Sequence, residues 1–172
     1  MTTTLKGEEK LNKIFNQFFV ELGYPEIETE LTNEFCYYYG QDKITYTLLE
    51  MPLSDIGFKN YLKKTYPTMP ECSMFIFSLL HELGHHVTMP LFFGSKKWRV
   101  CKKRKSIVER MKDTTEEQEI KKQEKYCALY DEAIATKEAV KILIENYDYI
   151  VKFEKVWYNA VIDFYKENGV TA

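Results

Sequence analysis

All three histidines of this chain fall within six residues, His81-Glu82-Leu83-Gly84-His85-His86. His81 and His85 are four apart, and a glutamate directly follows the first. On a helix, positions four apart stack on one face, so two imidazoles at this spacing can close on one metal ion. Glu82 then points beside the ion, where it can hold a water. A metal lowers the pKa of such a water, and a carboxylate beside it can take the proton, so the chemistry of the set is hydrolysis. His81 and His85 are therefore candidate ligands for Zn2+, and Glu82 is the candidate catalytic base. The competing interpretation is an ordinary helix with histidines on its surface. His86 is adjacent to a ligand position; it either faces solvent, supports a neighbour, or orients Glu82 four residues back.

Such a site needs rigid support. The segment before it, Cys72-Ser73-Met74-Phe75-Ile76-Phe77-Ser78-Leu79-Leu80, is apolar almost all round, which marks a buried helix. Pro70 and Glu71 suit a helix start, and Pro90 suits its end. The spacing predicts a helix from about Glu71 to Met89. Gly84 weakens that helix by about 1 kcal/mol relative to alanine. Its small size leaves room for a neighbouring strand or a substrate backbone, or serves simple packing.

The H-E-L-G-H-H run at the end of an apolar helix resembles the active-site helix of the zincin metallopeptidases. In style it is similar to small bacterial and phage zincin-like proteins such as the ImmA/IrrE-like and SprT-like groups. That resemblance implies an α+β, mostly helical fold with a small β-hairpin or sheet packed beside the motif helix. It also implies zinc and a peptide or protein substrate.

A catalytic zinc takes three protein ligands and keeps one open position. No histidine remains after the motif, so the third ligand is a carboxylate, a cysteine or a tyrosine, and the metzincin extension is absent: Met89 and Phe92 stand where its glycine and last histidine belong. A gluzincin-like arrangement is expected, with a carboxylate from a later helix. Glu132 is the first candidate. On a helix it shares a face with Ala128, Ala135, Thr136, Ala139 and Leu143, and a ridge of small residues lets two helices approach closely. The run Glu132-x-x-Ala135-Thr136-x-x-Ala139 also resembles the third-ligand helix of zincin-like proteins. Asp131 is the second candidate and Glu138 the third. A solvated acid on an amphipathic helix is the alternative.

With 172 residues, a single domain over 1–172 is expected. The net charge of −2 carries no general attraction to nucleic acid or anionic membrane. Cys36, Cys72, Cys101 and Cys127 are too dispersed for a disulfide framework or a zinc knuckle, and Cys72 and Cys127 read as buried thiols in helices. No apolar run reaches about 20 residues, so no membrane span is expected. Met1–Lys6 lacks the apolar core of a signal peptide, so the expected compartment is the cytoplasm. Between Lys96 and Lys105 stand seven basic residues around Trp98. They offer a weak nucleic-acid contact, or else a solvated face neutralised by the acids of 113–124. A second functional class follows: a non-catalytic zincin-fold regulatory or binding protein of a phage or mobile element, with or without an association with nucleic acid. The intact Glu82 argues against it, since a metal scaffold needs no base.

Other elements are legible from periodicity. Glu8–Leu22 reads as a helix capped by Gly23. Residues 34–39 and 43–49 read as a hairpin around Gly40-Gln41-Asp42. By the same resemblance, Ile44–Leu48 would offer an edge to an extended peptide; the alternative is that the hairpin only covers the core. Leu53–Tyr66 reads as a short helix, Leu91–Gly94 as an apolar turn, and Tyr147–Tyr165 as a closing helix before Gly169.

Overall fold

A computed structural model describes residues 6–169; the leader expectation rests on residues 1–6 and so falls almost wholly outside them. The described chain is 67% helical with one three-stranded sheet, an α+β composition in which helices dominate. Its elements run α1 (Glu8–Glu21), β1 (Glu28–Leu31), β2 (Cys36–Tyr38), β3 (Lys43–Tyr46), α2 (Pro52–Thr65), α3 (Met74–Phe92), α4 (Lys96–Glu109), α5 (Glu116–Cys127), α6 (Tyr130–Glu145) and α7 (Tyr147–Glu167). Two compact units share them. One joins the chain up to Leu48 with that from Asn146 on; the other runs Leu49–Glu145. The sheet belongs to the first unit and the motif helix to the second.

In the first unit, α1 turns Leu11, Phe15, Phe18 and Phe19 inward at helical spacing. Phe18 stacks on Phe153 of α7 at 4.2 Å, and Phe15 meets Tyr46 of β3 at 4.5 Å. The buried Tyr46 ring keeps a polar tip, and its hydroxyl donates to Asn12 Oδ1 at 2.8 Å. The hairpin forms as expected: β2 pairs antiparallel with β3. Its turn holds Gly40 and Asp42 at φ 79° and 48°, left-handed backbone that glycine and aspartate tolerate best.

One element was not expected, and one expectation fails because of it. Strand β1 was not legible, because Glu28-Thr29-Glu30-Leu31 offers little apolar alternation; it forms by parallel pairing with β3. That pairing makes β3 the central strand, in the order β1-β3-β2. The segment from Ile44 is therefore not an edge, and its backbone groups are already engaged on both sides.

In the second unit, α3 lies along α6 and α2 lies against α5. Gly57 permits the second contact, since a Cβ there would stand 2.7 Å from Gln123 Cβ and 2.9 Å from the Ile120 carbonyl. Helix α3 begins later than the sequence suggested. Ser73, not the Pro70-Glu71 pair, caps it by accepting from the Ile76 N–H at 3.2 Å. It also ends later. Pro90 sits inside the last turn, where Phe93 N–H reaches the Met89 carbonyl at 2.9 Å. Pro90 has no N–H to give, so one i→i−4 bond of the helix is missing, and Phe93 ends the helix three residues on. Cys72 lies before this helix and is half-buried, while Cys127 is buried as expected and so is Cys101. Among the described residues no helix is long and apolar enough to cross a membrane.

Candidate metal centre

The site forms where α3 and α6 touch. Gly84 marks the point of closest approach: a Cβ on it would lie 2.2 Å from the Ala135 carbonyl oxygen and 2.8 Å from its carbon. No side chain fits there, so the α6 backbone fills the space beside Gly84. Of the two alternatives for Gly84, simple packing holds: its neighbour is a helix of the same chain rather than a strand or a substrate backbone. Ala135 and Ala139 are both fully buried in this seam. Ala128 is not part of it. It caps the end of α5 and is exposed, because the chain breaks between Cys127 and Tyr130 rather than running as one helix.

This contact brings His81, His85 and Glu132 together, with one ligand atom from each within 4.8 Å of the others. Their relative exposures are 7%, 8% and 4%, so all three are shielded from bulk water. Glu132 Oε2 stands 3.0 Å from His81 Nε2 and 3.3 Å from His85 Nε2. Ligand atoms about 2.0–2.1 Å from a tetrahedral ion are roughly 3.3 Å apart, so the residues present fit an ion. This buried group could bind a metal ion. Among the described residues it is the one cluster of three or more His, Cys, Asp and Glu side chains so placed.

The surroundings fix the ligand orientations. Thr136, one turn beyond Glu132 and fully buried, places its Oγ1 3.1 Å from His81 Nδ1. That contact leaves Nε2 as the nitrogen facing Glu132. Phe58 meets the His81 ring edge-on at 5.2 Å, and the two imidazoles are themselves edge-on at 4.7 Å. Lys105 reaches in from α4 and places its Nζ 2.9 Å from Glu132 Oε1. Its ammonium also lies 4.7 Å above the Tyr126 ring.

Charge follows from these contacts. Burial works to raise the Glu132 pKa, but the hydrogen bonds and charges of His81 and His85 outweigh it and hold the carboxyl well below its ordinary value. Burial works to lower that of His85, but Glu132 more than offsets it, so the imidazole is raised. Burial likewise opposes the Lys105 charge, and Glu132 with Tyr126 overcomes it, holding the ammonium above its ordinary range. Burial and the Glu132 charge push the Tyr126 phenol up.

Glu82 lies on the same buried stretch of α3 as the two histidines. His86 is half-buried. The other carboxylate candidates fall outside the cluster. Asp131 is buried beside Glu132, and its Oδ1 has no hydrogen-bond partner among the described residues. Glu138 accepts from Lys141 at 3.2 Å.

Sequence reasoning missed Lys105 and Tyr126. Lys105 looked like one more charge in a basic run, and nothing local distinguishes it. The other six cations between Lys96 and Arg104 are exposed on α4. Two of them lie over aromatic rings, Lys97 on Tyr130 at 5.1 Å and Lys102 on Trp98 at 4.7 Å. Comparison with family models, with curated proteins and with solved structures found no match.

Proposed function

We propose that this chain is a zinc-dependent metallopeptidase of zincin type, acting on a peptide or protein substrate. The observation that carries the proposal is the single carboxylate oxygen of Glu132 against the Nε2 atoms of both His81 and His85, with Glu82 in the same helical stretch. These three side chains would hold the zinc. When bound, zinc supplies Lewis acidity, which brings the pKa of a water in its open position towards neutrality. Zinc is favoured over harder cations because two of the three donors are imidazoles.

The chain's own groups supply the rest. Glu82 would accept the proton of the attacking water and pass it to the leaving amine. Thr136 keeps the His81 ring in one orientation, and the seam between α3 and α6 keeps the two histidines and Glu132 in register. Low exposure of the cluster strengthens each of these polar contacts relative to water.

The test pairs metal analysis with one substitution. Purified protein should carry about one zinc per chain, and His81→Ala or His85→Ala should lose it. Glu82→Gln should keep the metal while peptidase activity on an unstructured protein substrate falls by at least ~100-fold. Absence of tight zinc binding would remove the reading altogether. Tight binding with no peptide cleavage by the wild type would leave instead a metal-holding protein with a regulatory or binding role.

A further inference from the structure

Lys105 has no counterpart in the motif, yet its ammonium touches the residue on which the site depends. The two oxygens of Glu132 are used differently. Oε2 faces His81 and His85, whereas Oε1 is held by Lys105 at 2.9 Å. A carboxylate can give a metal one oxygen or both. If both were given, the second would occupy the position that a hydrolytic site must keep for water. We propose that Lys105 is a positioning residue that engages Oε1, so that Glu132 presents Oε2 alone to a metal and one position stays open. The inference rests on the metal-site reading above.

The placement suits this role. Lys105 comes from α4, a different element from the helices that carry the ligands. Its side chain is about one-third exposed, with the charged end inward against a carboxylate that is nearly fully buried. The Tyr126 ring lies under the ammonium at 4.7 Å, which limits the positions it can take. A simple counter-ion for a buried acid would need no such second constraint. Outer partners of metal ligands commonly set ligand orientation in this way.

Lys105→Met keeps the aliphatic stem and removes the charge and the donor. Two probes read the outcome: the visible spectrum of the Co2+-substituted protein, and the oxygen and nitrogen shell around Zn2+ by X-ray absorption. In the wild type we expect one carboxylate oxygen in that shell. In Lys105→Met the shell should gain an oxygen, and the Co2+ bands should lose intensity as the coordination number rises. Lys105→Arg, which retains a charged donor, should restore the wild-type spectrum. Zinc affinity should hold or rise in Lys105→Met, because a positive charge beside a dication has gone; a purely structural role predicts a fall. An unchanged shell and spectrum in Lys105→Met would overturn the inference while leaving the metal site intact. Should that variant not fold, a two-oxygen Glu132 in the wild-type zinc shell overturns it equally, and a one-oxygen shell with a wild-type spectrum in Lys105→Arg supports it. A wild type that binds neither Zn2+ nor Co2+ would overturn both readings together.

Discussion

Gly84→Ala tests the organisation of the site without touching a ligand. The added Cβ would stand 2.2 Å from the Ala135 oxygen, 2.8 Å from its carbonyl carbon and 3.1 Å from its Cα. A carbon beside a carbonyl oxygen normally lies at about 3.3 Å or more, so α3 and α6 must separate by roughly 1 Å. The obstacle is backbone, which cannot swing aside as a side-chain tip would. Overpacking of this kind costs about 1–3 kcal/mol and sometimes more. Alanine returns about 1 kcal/mol through its better helix propensity. With the clash at the severe end, a net loss of about 2 kcal/mol is expected. The same movement reaches the site, because Glu132 is three residues before Ala135 on α6 and its Oε2 is only 3.0 and 3.3 Å from the two Nε2 atoms. Zinc affinity should fall about 10–100-fold, the scale seen when support for a metal ligand is lost. Urea unfolding in the presence of a chelator measures the first effect, and zinc competition against a chromophoric chelator measures the second. A variant with wild-type stability and wild-type zinc affinity would refute the argument that this helix contact sets the site.

Glu132→Ala should lower zinc affinity by more than ~100-fold, beyond the scale of outer-shell changes, whereas Glu138→Ala should bind as the wild type does, since its carboxylate pairs with Lys141. Asp131→Ala should also retain zinc, as this carboxylate lies outside the cluster; chelator competition on all three ranks them. Zinc affinity should decline with acid, beginning above pH 6.5, because the raised pKa of His85 lets protons compete early; calorimetric titration across pH 5.5–8 (a range of roughly two to three units around the ordinary imidazole value) checks the slope. In metal-free protein the His85–Glu132 pair should contribute most between pH 4.5 and 6.5, the ordinary values of the two groups. The depressed Glu132 pKa makes its share fade as pH falls through the folded value, and the raised His85 pKa makes its share fade as pH rises through the folded value. The stability difference between metal-free wild type and Glu132→Gln should therefore shrink above pH 6.5, and a difference that grows there would contradict the assignment.

Much of the second unit could be read from local pattern. The apolar run from Met74 and the four-residue spacing of His81 and His85 are properties of one helix, and a helix carries its periodicity in the sequence. Glu132 was reachable for the same reason: Ala135, Thr136 and Ala139 mark one face of α6, and all three are buried with it. The hairpin over 36–46 was announced by its turn residues. Where the local pattern ran out, tertiary contacts decided. Strand β1 exists because β3 offers it a parallel partner, a pairing of residues far apart in sequence that no alternation in Glu28–Leu31 announces. Pro90 lies inside α3, although its residue type alone argues for an earlier stop. Ala128 drops out of the ridge because α5 ends and α6 begins again at Tyr130, a break that no proline or glycine marks. Lys105 is one of seven similar charges in the sequence, and only the packing of α4 near α6 turns it towards Glu132 while its six neighbours face solvent. Spacing along one helix fixes which side chains share a face; which side chain of another helix meets that face depends on how the chain folds back, and that choice is made by packing.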